Sequence, residues 1–116
     1  MRQAGVELLS DVDRLNAIGP WEALKSLAHY LGLRRSALAQ VRRRGTRTAL
    51  LVDFPDFNLL LARRLKKMGV TVLYYISPTV WAWRAGRVRT IRRTVRKMLC
   101  IFPFEEAIYR RAGVDV

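Results

Sequence analysis

The stretch Leu50-Leu51-Val52-Asp53-Phe54-Pro55-Asp56-Phe57-Asn58 decides the fold, because an apolar run ends there on two carboxylates, Asp53 and Asp56. Ala49 to Val52 is continuous rather than alternating, the pattern of a parallel strand covered by helices on both faces. Pro55 forbids extension of the strand, and Asp56 is placed to cap the next helix by accepting from one of its free N–H groups. Asp53 is left at the carboxyl edge, where open α/β sheets bind ligands and helix N-termini point outward.

Downstream the pattern repeats. A strand over Thr48 to Val52 leads to a helix over Asp56 to Met68, with Phe57, Leu61, Leu65 and Met68 on one face and Gly69 as its cap. Thr71 to Ile76 is rich in β-branched and aromatic residues and stops at Ser77-Pro78. A loop over Thr79 to Trp83 precedes a helix over about Arg84 to Arg96 that buries Val88, Ile91 and Val95. The strand Met98 to Phe102 follows, with Cys100 as a small buried hydrophobe inside it. The last helix starts at Pro103, carries Glu105 and Glu106 near its positive end and Arg110 and Arg111 near its negative end, and stops at Gly113. Short connections between alternating strands and helices imply right-handed crossovers and a parallel sheet. Asp53, the Ser77 to Arg84 loop and the Phe102 to Glu105 turn then emerge on one rim.

Upstream, Trp21, Leu24, Leu27, Ala28 and Leu31 recur at helical steps until Gly32, which is expected to break the helix. A second basic helix runs over about Arg34 to Arg44 and ends at Gly45. Met1 to Leu15 is weakly patterned, with Gly5 to Leu9 as a short extended piece. Residues 1–116 read as one incomplete Rossmann-like α/β domain, whose bare sheet edges invite pairing with another chain.

The 116 residues suffice for one small core, and a 51% hydrophobic content can fill it. Twenty-two Lys and Arg against nine Asp and Glu leave +13, which favours an anionic partner: nucleic acid, a phosphorylated small molecule or an acidic lipid surface. Charge alone does not choose among them. Cys100 is the single cysteine, which excludes an internal disulfide and a multi-thiolate metal site and fits a reducing compartment. No apolar run approaches the ~20 residues needed to span a bilayer, and Met1 to Ser10 lacks the apolar centre of a secretory signal. The reading is a soluble or peripheral cytoplasmic protein.

Three segments carry a resemblance: Asp53-Phe54-Pro55-Asp56-Phe57-Asn58, Tyr75-Ile76-Ser77-Pro78-Thr79-Val80-Trp81-Ala82-Trp83-Arg84, and Pro103-Phe104-Glu105 with Tyr109 after it. Together with Gly19-Pro20-Trp21-Glu22, they make the chain similar to lipid-A-disaccharide synthases, inverting glycosyltransferases of the B-type two-domain architecture. The resemblance implies part of the N-terminal domain of that fold. It also implies transfer of 2,3-diacylglucosamine from UDP-2,3-diacylglucosamine to 2,3-diacylglucosamine 1-phosphate, giving a β-1′,6-linked disaccharide 1-phosphate and UDP. Neither metal nor cofactor is required, and the protein is expected on the inner face of the inner membrane. Asp53 matches the acid taken as general base. Drying by Phe54 and Phe57 would raise its proton affinity, and the bland alternative is that it only ties down the turn.

The other assignments keep two readings each. Asn58 bonds a sugar hydroxyl or stabilises the turn. Trp81 and Trp83 line a sugar or acyl-chain site or pack between sheet and helix. Arg84 and Arg87, one turn apart, hold the acceptor phosphate, whereas the remaining arginines of that helix form a solvated face. Trp21, Leu24, Leu27 and Leu31, beside the basic Arg34 to Arg47 region, dock onto anionic lipid or pack on the protein's own sheet.

The family's Gly-Glu-x-Ser-Gly-Asp opening and the domain supplying most UDP contacts are absent from these residues, and a whole enzyme of this kind is about three times longer. Little or no transferase activity is expected of the chain alone. The rival readings are a basic nucleic-acid-binding module and a noncatalytic remnant.

Overall fold

The computed structural model describes residues 5, 7, 20–78 and 85–116, with the side chains of 20–26 and 85 outside the description. The Trp81, Trp83 and Arg84 assignments lie outside the described residues, as do the Trp21 and Leu24 side chains and most of the Gly5 to Leu9 piece. The chain divides into two compact units, Met1–Gly45 and Thr46–Val116.

Within the first unit, α1 spans Pro20–Arg43 as one uninterrupted helix of 24 residues. The break expected at Gly32 does not occur, since Gly32 keeps a negative φ and its place in the helix. An interior glycine costs roughly 1 kcal/mol relative to alanine, which flanking strong helix formers such as Leu31, Leu33 and Arg34 outweigh. Leu27 and Leu31, one turn apart, are exposed on α1.

The second unit is a parallel α/β layer. Its elements are β1 (Thr48–Val52), α2 (Pro55–Lys67), β2 (Thr71–Tyr75), α3 (Ala85–Thr94), β3 (Lys97–Leu99) and α4 (Pro103–Arg111). The sheet order is β1-β2-β3, with Thr48 opposite Thr71, Val52 opposite Tyr75, and Tyr75 opposite Leu99. The expected partial Rossmann-like parallel sheet is therefore present.

Strands that add in sequence order through right-handed crossovers place the two connecting helices, α2 and α3, on the same side. This corrects the expectation of cover on both faces. Leu51 is 7% exposed, whereas its neighbours Leu50 and Val52 are 55% and 46% exposed. The buried face, Leu51, Val72, Tyr74 and Met98, forms the core with Leu61, Ala62, Leu65 and Ile91 from the helices. Leu50, Val52, Leu73, Tyr75 and Leu99 alternate with them on the opposite face.

Several boundaries shift for local reasons. Helix α2 starts at Pro55, whose missing N–H and fixed φ suit a first helical position, so Asp56 lies inside the first turn and the residue at the cap position is Phe54. The helix turns Leu59 and Ala62 into the core, while Phe57 and Met68 stay half-buried. Gly69 (φ 77) closes it with the six-to-one bond from the Val70 N–H to the Leu65 carbonyl at 3.0 Å, and Gly113 (φ 72) closes α4 with the same bond from Val114 to Tyr109. Strand β3 ends at Leu99, so Cys100 sits just beyond it and is half-buried. Burial, reinforced by the charges of Glu105 and Glu106, pushes its thiol up to about 11.

Candidate active-site rim

Parallel pairing brings the carboxyl ends of the strands to one rim, and Asp53 is the first residue past β1. Its N–H continues the ladder by donating to the Tyr75 carbonyl at 2.9 Å. The chain then turns left-handed at two successive non-glycine residues, Asp53 (φ 48) and Phe54 (φ 46, ψ 61). Such a conformation costs an L-residue roughly 1–2 kcal/mol and persists only where the surroundings over-determine it.

Two side chains do so here. The buried amide of Asn58 donates from Nδ2 to the carbonyls of Val52 (3.1 Å) and Asp53 (2.8 Å). Tyr74, fully buried beneath, donates its hydroxyl to the same Asp53 carbonyl at 2.6 Å. Burial holds the Tyr74 hydroxyl well above its usual range; the nearby Asp53 charge adds to this, while Arg87 and the Asn58 contact oppose it. It therefore remains a donor. The Asp53 backbone is thus fixed at both its N–H and its carbonyl, while the residue itself is exposed to solvent.

Of the two readings given to Asn58, this geometry displays the bracing of the turn. The drying expected from Phe54 and Phe57 is not present, because these rings stack on each other at 6.0 Å and Phe54 remains exposed.

Behind the turn, α2 and α3 are tied together. Arg87 donates from Nη2 to Oδ1 of Asp56 at 2.5 Å; its side chain is 15% exposed and that of Asp56 73%. Farther along, Arg63 donates to the Thr90 hydroxyl at 2.8 Å. Asp56 therefore favours the positive end of α2 and orients Arg87 rather than capping the helix.

The second turn is anchored differently. Ile76 donates its N–H to the Leu99 carbonyl at 3.1 Å and then adopts φ 66, an outlier for a β-branched residue. Next, the buried Ser77 hydroxyl donates to the Tyr109 oxygen at 2.9 Å, and the Tyr109 hydroxyl contacts the Pro78 carbonyl at 3.3 Å. Burial pushes Tyr109 up to about 12 against the lowering effect of the Ser77 bond. At the third turn, Glu105 is 3% exposed and accepts from the Phe102 N–H at 3.4 Å, while Phe102 and Phe104 stack at 5.6 Å. Glu105 is thus a capping acid, consistent with its place at the positive end of α4.

Asp53, Asn58 and Arg87 are brought to this rim and its flank, together with Tyr74, Ser77 and Tyr109. The hydrogen-bonding role of Tyr74 was not singled out in the sequence. Its signal was its position: a tyrosine on the buried face of a strand needs an acceptor for its hydroxyl. Among the described residues there is no group of three or more metal-ligating side chains and no helix long and apolar enough to cross a membrane.

A profile of the family described as Lipid-A-disaccharide synthetase matches residues 1–116. Among curated proteins, the lipid-A-disaccharide synthase of Anaeromyxobacter sp. (strain K) is 49% identical over 115 residues, covering 99% of this chain and 30% of the relative. That of Myxococcus xanthus (strain DK1622) is 51% identical over 111 residues, 96% of this chain and 29% of the relative. That of Geobacter sulfurreducens is 48% identical over 120 residues, 100% of this chain and 30% of the relative. The chain thus spans about 30% of the length of the curated relatives it matches. With a parallel Rossmann-like sheet and a match along its whole length, the chain belongs to the lipid-A-disaccharide synthase family of glycosyltransferases.

Proposed function

We infer that this chain supplies the acceptor-activating rim of an inverting glycosyl transfer. The reaction moves 2,3-diacylglucosamine from its UDP derivative to 2,3-diacylglucosamine 1-phosphate, forming the β-1′,6 disaccharide 1-phosphate and releasing UDP. The observation that carries the reading is the braced left-handed turn that holds Asp53 exposed at the carboxyl edge of β1. Inversion requires the acceptor 6-hydroxyl to attack the anomeric carbon from the face opposite UDP, with a base within hydrogen-bond reach of its proton. Asp53 takes that proton as the new C–O bond forms and the bond to the UDP oxygen breaks. No metal or cofactor enters the scheme.

Around the base, Asn58 keeps the turn in register, and Trp81 and Trp83 line the sugar and acyl portions. Arg84 and Arg87 bind the acceptor phosphate, with Asp56 orienting Arg87. Trp21, Leu24, Leu27 and Leu31 contact an anionic membrane surface on its cytoplasmic side, the exposure of Leu27 and Leu31 supporting that placement. These 116 residues correspond to about 30% of the length of the relatives, and the reading assigns the UDP contacts to the remainder of the family protein.

The test is a chimera in which this segment replaces its counterpart in the Anaeromyxobacter enzyme. Asp53→Asn in the active chimera lowers turnover by about 10²–10⁴ with little change in substrate binding, the usual range for loss of a general base. Near-normal turnover would remove Asp53 from the mechanism.

A further inference from the structure

The arginines of α3 divide into two groups. Arg87 faces Asp56, whereas Arg89, Arg92 and Arg93 have no acidic partner among the described residues. At steps of three and four they fall on one face of the helix. With Val88 of the same helix and Ala112 from the end of α4, they line a groove of about 400 Å³. Arg92 lies along its wall: a Cβ on Gly113 would sit 4.0 Å from Arg92 Cδ and Nε. Because α3 runs back from the rim, its last turn lies toward the opposite edge of the sheet from Asp53. The groove is therefore separate from the site proposed above.

We propose that the Arg89, Arg92 and Arg93 groove between α3 and α4 is an anion site for phosphate or phosphodiester groups. Three arginines line a concavity large enough for a small ligand, and its other lining residues, Val88 and Ala112, offer no competing acceptor side chain. Planar forked donors match the oxygens of a phosphate, and charge-assisted bonds of this kind are roughly twice as strong as neutral ones. Two nearby cations are otherwise occupied: Lys97 pairs with Asp115 at 3.7 Å and Arg110 with Glu106 at 2.7 Å. The phosphate can belong to a lipid headgroup or to a soluble phosphate compound, and the assay separates the two.

The experiment compares the 116-residue chain with R89Q/R92Q/R93Q and with R64Q/K66Q/K67Q, which removes the same charge from the end of α2. Glutamine keeps helix propensity near that of arginine, and circular dichroism checks the fold. Binding of inorganic pyrophosphate is followed by calorimetry, and binding to phosphatidylcholine vesicles with and without phosphatidylglycerol by flotation. The expected result is about a tenfold or greater loss in the α3 variant, against less than about twofold in the α2 variant. Loss confined to pyrophosphate identifies a soluble phosphate ligand, and loss confined to phosphatidylglycerol vesicles identifies a headgroup. Equal losses in both variants, no loss in either, or no binding of either probe by the parent chain would overturn the proposal.

Discussion

Replacing the braces of the Asp53 turn one at a time shows how much of the second unit's stability they contribute. Tyr74→Phe removes one 2.6 Å hydrogen bond at a fully buried position while the Asp53 carbonyl keeps its Asn58 donor, so the loss is about 1 kcal/mol. Asn58→Ala removes two bonds and the packing of a buried side chain, which together come to about 2–3 kcal/mol. The backbone supplies a sharper signature. At φ 48 a Cβ is a liability, so Asp53→Gly is more stable than Asp53→Ala by about 1 kcal/mol, the reverse of their order in a helix. Urea unfolding followed by far-ultraviolet circular dichroism resolves differences of this size, and each kcal/mol shifts the melting temperature by about 4–8 °C for a domain of this scale. Equal stabilities of the Gly and Ala variants, together with an Asn58→Ala cost below about 0.5 kcal/mol, would refute the claim that this turn is held against its own conformational preference.

Other expectations test separate links. Asp56→Asn removes one partner from an ion pair whose carboxylate is largely exposed, so stability falls by about 1 kcal/mol or less, and the effect shrinks in high salt. The folded state holds the Tyr109 proton up to about pH 12 against an ordinary value of 10, and that of Tyr74 is raised as well. The Tyr109 contribution is complete below pH 10 and is lost as pH rises from 10 through 12, at up to about 1.4 kcal/mol per pH unit, and that of Tyr74 is lost in the same direction; an alkaline series of urea melts measures the fall. Cys100, raised to about 11, reacts slowly with a disulfide reagent at pH 8, and the rate climbs only as pH approaches that value; fast reaction at pH 8 would contradict its burial. Serine at Trp21, Leu24 and Leu27 releases the chain from phosphatidylglycerol vesicles with its circular dichroism unchanged, whereas loss of helix would make that stripe part of a core.

Much of this architecture was legible because strong local signals agreed. The apolar run before Asp53, the prolines Pro55 and Pro103 at helix starts, and the glycines Gly69 and Gly113 past helix ends each name a boundary through one physical restriction. The misses have equally specific causes. Gly32 reads as a breaker only when its neighbours are ignored. The left-handed pair Asp53 and Phe54 carries no glycine, so its conformation is visible only once Asn58 and Tyr74 are seen holding it. The bare face at Leu50 and Val52 follows from strand order, a property no window of residues contains. At the candidate site, Asp53 was legible from its place at a strand end, whereas the Ser77, Tyr109 and Pro78 contacts join residues about thirty positions apart and carry no local pattern.

The one-sided arrangement of helices also has a calorimetric consequence. Leu50, Val52, Tyr75 and Leu99 already meet water before the chain unfolds, so melting wets less new hydrocarbon than a fully enclosed sheet would. The heat-capacity increment and the denaturant slope should both fall short of what 116 residues ordinarily give, about 12–15 cal/mol/K per residue for the former. The stability curve of the isolated chain is correspondingly shallow.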